Sequence, residues 1–228
     1  MAETLSFEME NARAEVYRFL GTLLTENLSV TSLNRILNAE TVSHLKALFP
    51  DEDGHQVLEE LVDDFSNGNL SAEDIMLDFE ALLRVPGQAY IYPYESSYLS
   101  RKKRGDRMQW GSLNGPPARA AQLLYQNEHL SVRSELADFP DHIGVELEFM
   151  AQMCYKAAEA LQAGDQKTVT EKREKQKHFF QEHLLNWPED LAKEMRTKAE
   201  TIFYRCLADL LSNFLDMEKR FLLSESKN

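Results

Sequence analysis

Cysteine is scarce in this chain. Cys154 and Cys206 are the only two, and no Cys-x-x-Cys pair exists. A disulfide framework or a thiolate metal site therefore has nothing to build on, and both thiols fall on apolar helical faces, as buried cysteines of a reducing compartment do. Glycine and proline are also few, nine and seven in 228 residues, while Leu, Glu and Ala abound, which favours helices over strands. No apolar run approaches the length that spans a bilayer. Met1-Ala2-Glu3-Thr4 lacks the basic start and apolar stretch of a secretory signal, so a cytoplasmic protein is expected. Positive charge is in deficit: 25 Lys and Arg face 38 Asp and Glu, for a formal net charge of −13. That balance disfavours nucleic acid and anionic membrane and favours a basic partner.

The motifs of common chemistries are missing as well. Neither Gly-x-x-x-x-Gly-Lys-[Ser/Thr] nor Gly-x-Gly-x-x-Gly occurs, so a conventional phosphate cradle is excluded. Gly-x-Ser-x-Gly is absent, and neither cysteine has a neighbouring base. A relay of Ser96 with Asp141 and His142 fails because adjacent residues at a helix start point in different directions. A helical di-iron centre needs two Glu-x-x-His repeats, and only Glu52-Asp53-Gly54-His55 has that spacing, in a turn. His178, Glu182 and His183 lie on a charged helix without forming His-Glu-x-x-His. No metal and no cofactor are expected, and no catalytic residue.

Helical periodicity dominates what is present. Ser6 opens a helix with Ala12, Val16, Phe19, Leu20, Leu23 and Leu24 on one face. Shorter helices are predicted around Thr31–Leu37 and Thr41–Phe49, the latter ending at Pro50. Asp51–Gly54 reads as a turn before a helix to Phe65, and Ser71-x-x-Asp74 reads as a capping box before the next. Val85 to Gly115 is the one long non-helical stretch. Pro116 and Pro117 open a further helix, Ser131–Ala137 is a polar connector, and a charged helix begins near Gln166. A long helical run starts at Trp187-Pro188, and Ser224–Asn228 reads as frayed. The expected fold is all-α: one helical bundle domain over residues 1–228, of about nine or ten helices, with a long aromatic loop and a possible hinge at 131–138.

The chain is organised around the stretch from Phe139 to Met150. Asp138 is placed to cap a helix, Pro140 to sit in its first turn and Asp141 to meet the positive end of its dipole. Ile143, Leu147, Met150, Cys154, Ala157 and Leu161 form one core stripe, widened by Val145, Phe149 and Met153. Glu148, Gln152, Tyr155 and Glu159 take the wetter face. His142 and Glu146 fall inside the apolar band, where a carboxylate needs a partner or an altered pKa. Glu146 is read as a structural buried polar group that fixes how this helix docks, and His142, at the entrance, as better placed to meet a ligand.

The loop divides in two. Tyr90, Tyr92, Tyr94 and Tyr98, with Pro93, either cap a core edge or line a groove for an extended peptide. Glu95 and Asp141 would then accept charge-assisted bonds from a basic peptide. Arg101-Lys102-Lys103-Arg104 is either a solvated loop or an electrostatic contact with an acidic surface.

Pro93-Tyr94-Glu95-Ser96-Ser97-Tyr98-Leu99 and Pro140-Asp141-His142-Ile143-x-x-Glu146-Leu147-x-Phe149-Met150 together resemble the cytoplasmic molybdoenzyme maturation chaperones of the TorD/DmsD/NarJ type. The resemblance implies a non-enzymatic helical bundle, monomeric or domain-swapped through a hinge ahead of the Pro-Asp-His segment. It implies binding to the twin-arginine leader, the folded core, or both, of a molybdopterin oxidoreductase, whose export waits until cofactor insertion is complete. Pro140, Asp141 and His142 match the motif implicated in leader recognition, and Tyr94, Glu95, Ser96 and Tyr98 match the other family motif. The basic run after Ser100 departs from the acidic or small residues found in many members. The competing reading is a small helical enzyme using Glu146 and His142 as an acid–base pair around a metal or small ligand.

Overall fold

A computed structural model describes residues 6–49, 52–105, 107–136 and 138–223. The acidic start, the expected stop at Pro50, Asp51, Asp106, Ala137 of the connector and the C-terminal Ser224–Asn228 lie outside the described residues. Among the described residues eleven α-helices make the structure 74% helical, so the fold is all-α. They are α1 (Phe7–Thr25), α2 (Val30–Ile36), α3 (Ala39–Leu45), α4 (Glu52–Ser66), α5 (Ala72–Phe79), α6 (Glu95–Leu99), α7 (Pro116–Asn127), α8 (Ile143–Ala163), α9 (Gln166–Phe179), α10 (Pro188–Lys198) and α11 (Ile202–Leu223). A two-stranded antiparallel hairpin, β1 (Lys102–Arg104) with β2 (Arg107–Gln109), pairs Lys103 with Met108. Among the described residues no helix is long and apolar enough to cross a membrane.

The stretch read as continuous loop therefore holds a five-residue helix and a hairpin. The helix count exceeds the expected nine or ten partly for that reason. A second reason is a break in the last helical run. The buried Asp78 carboxylate accepts from the Thr201 N–H at 2.9 Å, the Thr201 hydroxyl at 2.7 Å and the Glu200 N–H at 3.3 Å. Those bonds hold Glu200 and Thr201, the two residues just ahead of α11, in the non-helical link that separates it from α10. Glu52, Asp53 and Gly54 are not a turn but the first residues of α4.

The chain divides into two compact units. One comprises Thr25–Tyr92 and Glu189–Met217. Its short helices begin on side-chain caps: Ser29 for α2, Asn38 for α3, and for α5 the reciprocal Ser71–Asp74 box expected from sequence. Phe79, Leu82, Leu58, Tyr204 and Leu207 are buried in it. Residues Glu80–Arg84 form a π-helical turn, closed by the Val85 N–H donating to the Glu80 carbonyl at 2.7 Å.

The other unit, which carries the candidate site, comprises Met1–Leu24, Pro93–Pro188 and Glu218–Asn228. At its centre lies α8, with Ile143, Leu147, Met150, Cys154 and Ala157 wholly buried, as the periodicity predicts. Gly164 closes α8 in the left-handed conformation, φ 73°. Against the first turn of α8 comes Gly21 of α1, so close that a Cβ there would lie 3.1 Å from the Gly144 carbonyl oxygen.

Leu20, Leu23 and Leu24 of α1 are buried as expected, but the inward face of its first half differs: Glu10, Arg13, Ala14 and Tyr17 are buried, while Ala12 is exposed. Arg13 explains this. Its guanidinium donates to both oxygens of Glu218 (2.8 and 2.6 Å), to Glu10 (2.8 Å) and to Gln176 (2.9 Å), and lies 4.4 Å from the Phe221 ring centroid. Tyr17 adds a hydroxyl bond to Glu218 at 2.8 Å. The buried charges are thus paired, and they tie the end of α11 to α1 and α9. At the end of α7, burial alone would push the Glu128 carboxyl pKa up. Hydrogen bonds from Lys172, Lys175 and Lys156 override that and hold it at about 2.

Candidate functional site

The two motif stretches meet as a clasp. Tyr94 and His142 form an isolated antiparallel bridge. The Glu95 N–H donates to the Asp141 carbonyl at 3.0 Å, and the Ile143 N–H donates to the Pro93 carbonyl at 2.9 Å. The Asp141 side chain then accepts from the Ser96 N–H at 2.8 Å. It thereby caps α6, whose own N-cap residue, Tyr94, contributes no side-chain bond. Ser96 passes the contact on: its hydroxyl oxygen accepts from the Gly115 N–H at 2.9 Å, directly before α7. The Tyr125 hydroxyl donates to the Pro140 carbonyl at 2.8 Å.

Rings pack around these bonds. Tyr94 lies 5.0 Å from Phe139 and 5.4 Å from His142, centroid to centroid. Tyr98 sits between Trp110 at 5.0 Å and Trp187 at 5.3 Å, with the Arg101 guanidinium 5.0 Å from its ring.

His142 plays a different part from the one its position suggests. Helix α8 starts at Ile143, later than expected, and His142 rather than Asp138 is its cap: the Nδ1 atom accepts from the Gly144 N–H at 3.1 Å. Burial pushes its pKa down to about 3, so the ring is neutral at pH 7, with its proton on Nε2.

Behind the clasp lies a buried acidic centre. His183 Nδ1 is 2.8 Å from a Glu95 carboxylate oxygen, both side chains being almost fully enclosed. Glu146 is wholly buried, and neither of its carboxylate oxygens has a hydrogen-bond partner among the described residues. Burial, then the negative charge of Glu95 and Asp141, drives its pKa well above the usual carboxylate range. Glu95, Glu146 and His183 each bring a ligand-type atom within 4.8 Å of the others. The Trp187 indole N–H beside them also lacks an acceptor. No hydrogen bond joins the side chains of Glu146 and His142, the pair on which the enzyme reading depends.

Of the residues matched to the family motifs, Tyr94 alone is partly exposed; Glu95, Ser96, Tyr98, Pro140, Asp141 and His142 are buried. Tyr90 and Tyr92 belong to the other compact unit, so the four loop tyrosines do not share one unit. The exposed apolar side chains near the clasp in sequence include Leu99, Met108, Leu113 and Leu123. Sequence reasoning considered His183 only beside His178 and Glu182 and set it aside, missing its pairing with Glu95. It lies 88 residues from Glu95, on a π-helical turn over Phe180–Leu184 that no spacing rule announces.

Comparison with known proteins matches residues 50–193, which contain all of these groups, to the family described as nitrate reductase delta subunit. The chain is 28% identical over 216 residues to chaperone protein TorD of Vibrio parahaemolyticus, covering 93% of this chain and 95% of that protein. It is 27% identical over 243 residues to chaperone protein TorD of Colwellia psychrerythraea, covering 98% and 97%. With the protein of the same name from Photobacterium profundum it shares 27% identity over 232 residues, covering 99% and 100%.

Proposed function

The chain belongs to the nitrate reductase delta subunit family, of the TorD/NarJ type, and from that premise we propose that it is a cytoplasmic, non-enzymatic chaperone for a molybdopterin oxidoreductase. It binds the twin-arginine leader of that client, or its unfinished core, and delays export until the cofactor is in place. The observation that carries this reading is the clasp: the two segments behind the family resemblance form one hydrogen-bonded unit.

In this reading the buried motif residues form the frame of the binding surface. Pro140, Asp141 and His142 fix the Tyr94 segment, Glu95 and Ser96 anchor α6, and Tyr98 wedges it against Trp187. The client then meets the part-exposed rings of Tyr94 and Phe139 and the exposed Leu99, Leu113 and Leu123, which suit the apolar part of a leader. Its arginines pair with exposed carboxylates of the connector, Glu135 and Asp138. The same connector, residues 131–138, is the hinge through which a domain-swapped dimer would form.

The test has two parts. The protein is used to retain partners from anaerobically grown cells, with mass spectrometry of what is held; an immature oxidoreductase carrying its leader is expected. A leader peptide is then titrated against wild type, Tyr94→Ala and folded Asp141→Ala/His142→Ala protein. Each variant is expected to bind about ten-fold more weakly, which corresponds to ~1.4 kcal/mol. Recovery of a leaderless enzyme, with equal peptide affinities, would move the contact to the client core. Recovery of no oxidoreductase would sink the reading.

A further inference from the structure

The interior behind the clasp holds more acid than its own side chains satisfy. Glu95, Asp141 and Glu146 are at most 2% exposed, and the single imidazole that faces Glu95 belongs to His183, at 3%. With every group ionised, three negative charges meet one positive charge in a medium that solvates neither sign well.

Protons relieve part of this. Yet neither oxygen of Glu146 makes a well-formed hydrogen bond among the described residues, although the Glu95 carboxylate and the Trp187 indole lie close enough to act on it. The second oxygen of Asp141 and the Trp187 indole N–H are unpartnered too. Native interiors leave few such atoms unmatched, and both oxygens of one wholly buried carboxylate are among them here.

The geometry points to a cation: we propose that Glu95, Glu146 and His183 bind one divalent transition ion of the zinc or manganese class. The three donors come from α6, α8 and the π-helical turn, so the ion pins three separate stretches of chain. Two carboxylates and an imidazole suit such an ion. The imidazole disfavours magnesium and calcium, and the lack of sulfur disfavours copper(I). Around a tetrahedral ion with bonds of about 2.0–2.2 Å the donors sit ~3.3–3.6 Å apart, so donors that lie within 4.8 Å of one another must close by up to about 1.5 Å to share it. The Trp187 N–H then faces a metal-bound oxygen, the outer contact that metal sites commonly carry. Because the donors are sealed, the ion enters as the chain folds, and the site is structural. It stands apart from client binding and does not rest on it.

The test uses untagged full-length protein purified without chelators. Metal analysis is expected to find close to one zinc or manganese ion per chain. Protein unfolded with chelator and refolded with Zn²⁺ or Mn²⁺ alone is expected to melt at least about 4 °C above protein refolded without metal. Refolding with Co²⁺ alone gives visible d–d bands from an ion on oxygen and nitrogen donors, a readout that needs no variant. Glu146→Gln is expected to lose the ion and the melting shift, while His178→Ala, which removes an exposed histidine of α9, keeps both. Metal-free wild type with no shift and no cobalt bands overturns the proposal, as does metal lost on His178→Ala but kept on Glu146→Gln. Metal-free protein stabilised by Glu146→Gln would show that shared protons alone fill the centre.

Discussion

Acidification should weaken this protein through one ring, His142. In the folded chain its pKa is pushed from the ordinary 6.5 to about 3 by burial, and its Nδ1 must stay unprotonated to cap α8. The unfolded chain therefore takes up a proton, between those two values, that the folded chain refuses. The stabilising contribution is complete above pH 6.5 and is lost progressively as pH falls toward 3. Between pH 7 and pH 5 the loss amounts to about 2 kcal/mol, at ~1.36 kcal/mol per pH unit once below 6.5.

In the metal-free protein Glu146 acts in the opposite sense. Its raised pKa means that the folded form takes up a proton the unfolded form lacks, so acid favours folding there. A difference measurement separates the two. His142→Asn keeps an acceptor at the cap and cannot titrate, so it should match wild type at pH 7.5 within about 1 kcal/mol. At pH 5 it should be the more stable by ~2 kcal/mol. Urea unfolding followed by tryptophan fluorescence is the assay. Both tryptophans, Trp110 and Trp187, lie in the unit that contains His142. Parallel stability profiles for the two proteins from pH 7.5 to 5 would refute the argument.

Two further perturbations test the packing of the same unit. Arg13→Ala strands the buried Glu10 and Glu218 carboxylates and should cost about 3–5 kcal/mol in urea unfolding, whereas Arg13→Met with Glu218→Leu, which removes the main charge pair together, should recover most of it. Gly21→Ala should destabilise by roughly 1 kcal/mol despite the better helix propensity of alanine, because the new methyl meets the Gly144 backbone at 3.1 Å; a rise in melting temperature would show that α1 can move.

What could be read from sequence depended on how local its cause was. The core stripe of α8, the Ser71–Asp74 box and the paired prolines of α7 are fixed by residues within a turn or two, and all were legible. Helix α6 was not, because its cap, Asp141, lies 45 residues further along the chain. The α10–α11 break is set by Asp78, 123 residues away from Thr201. Glu146 was legible as a carboxylate out of place, but its neighbours were not: periodicity offered His142, and the structure puts Glu95 and His183 beside it. The buried face of α1 was hidden in the same way, since Arg13 and Glu10 belong inside only once Glu218 is present.

That last dependence has a consequence for how the protein is made. Arg13 and Glu218 are 205 residues apart, so the ribosome releases one long before the other. At about 5–20 residues per second, the first helix waits roughly 10–40 s for the partner that takes up the remaining donors of the Arg13 guanidinium. The unit holding the clasp cannot close while its last helix is still being synthesised. A nascent chain stalled before Glu218 should therefore expose the α1 face to proteases.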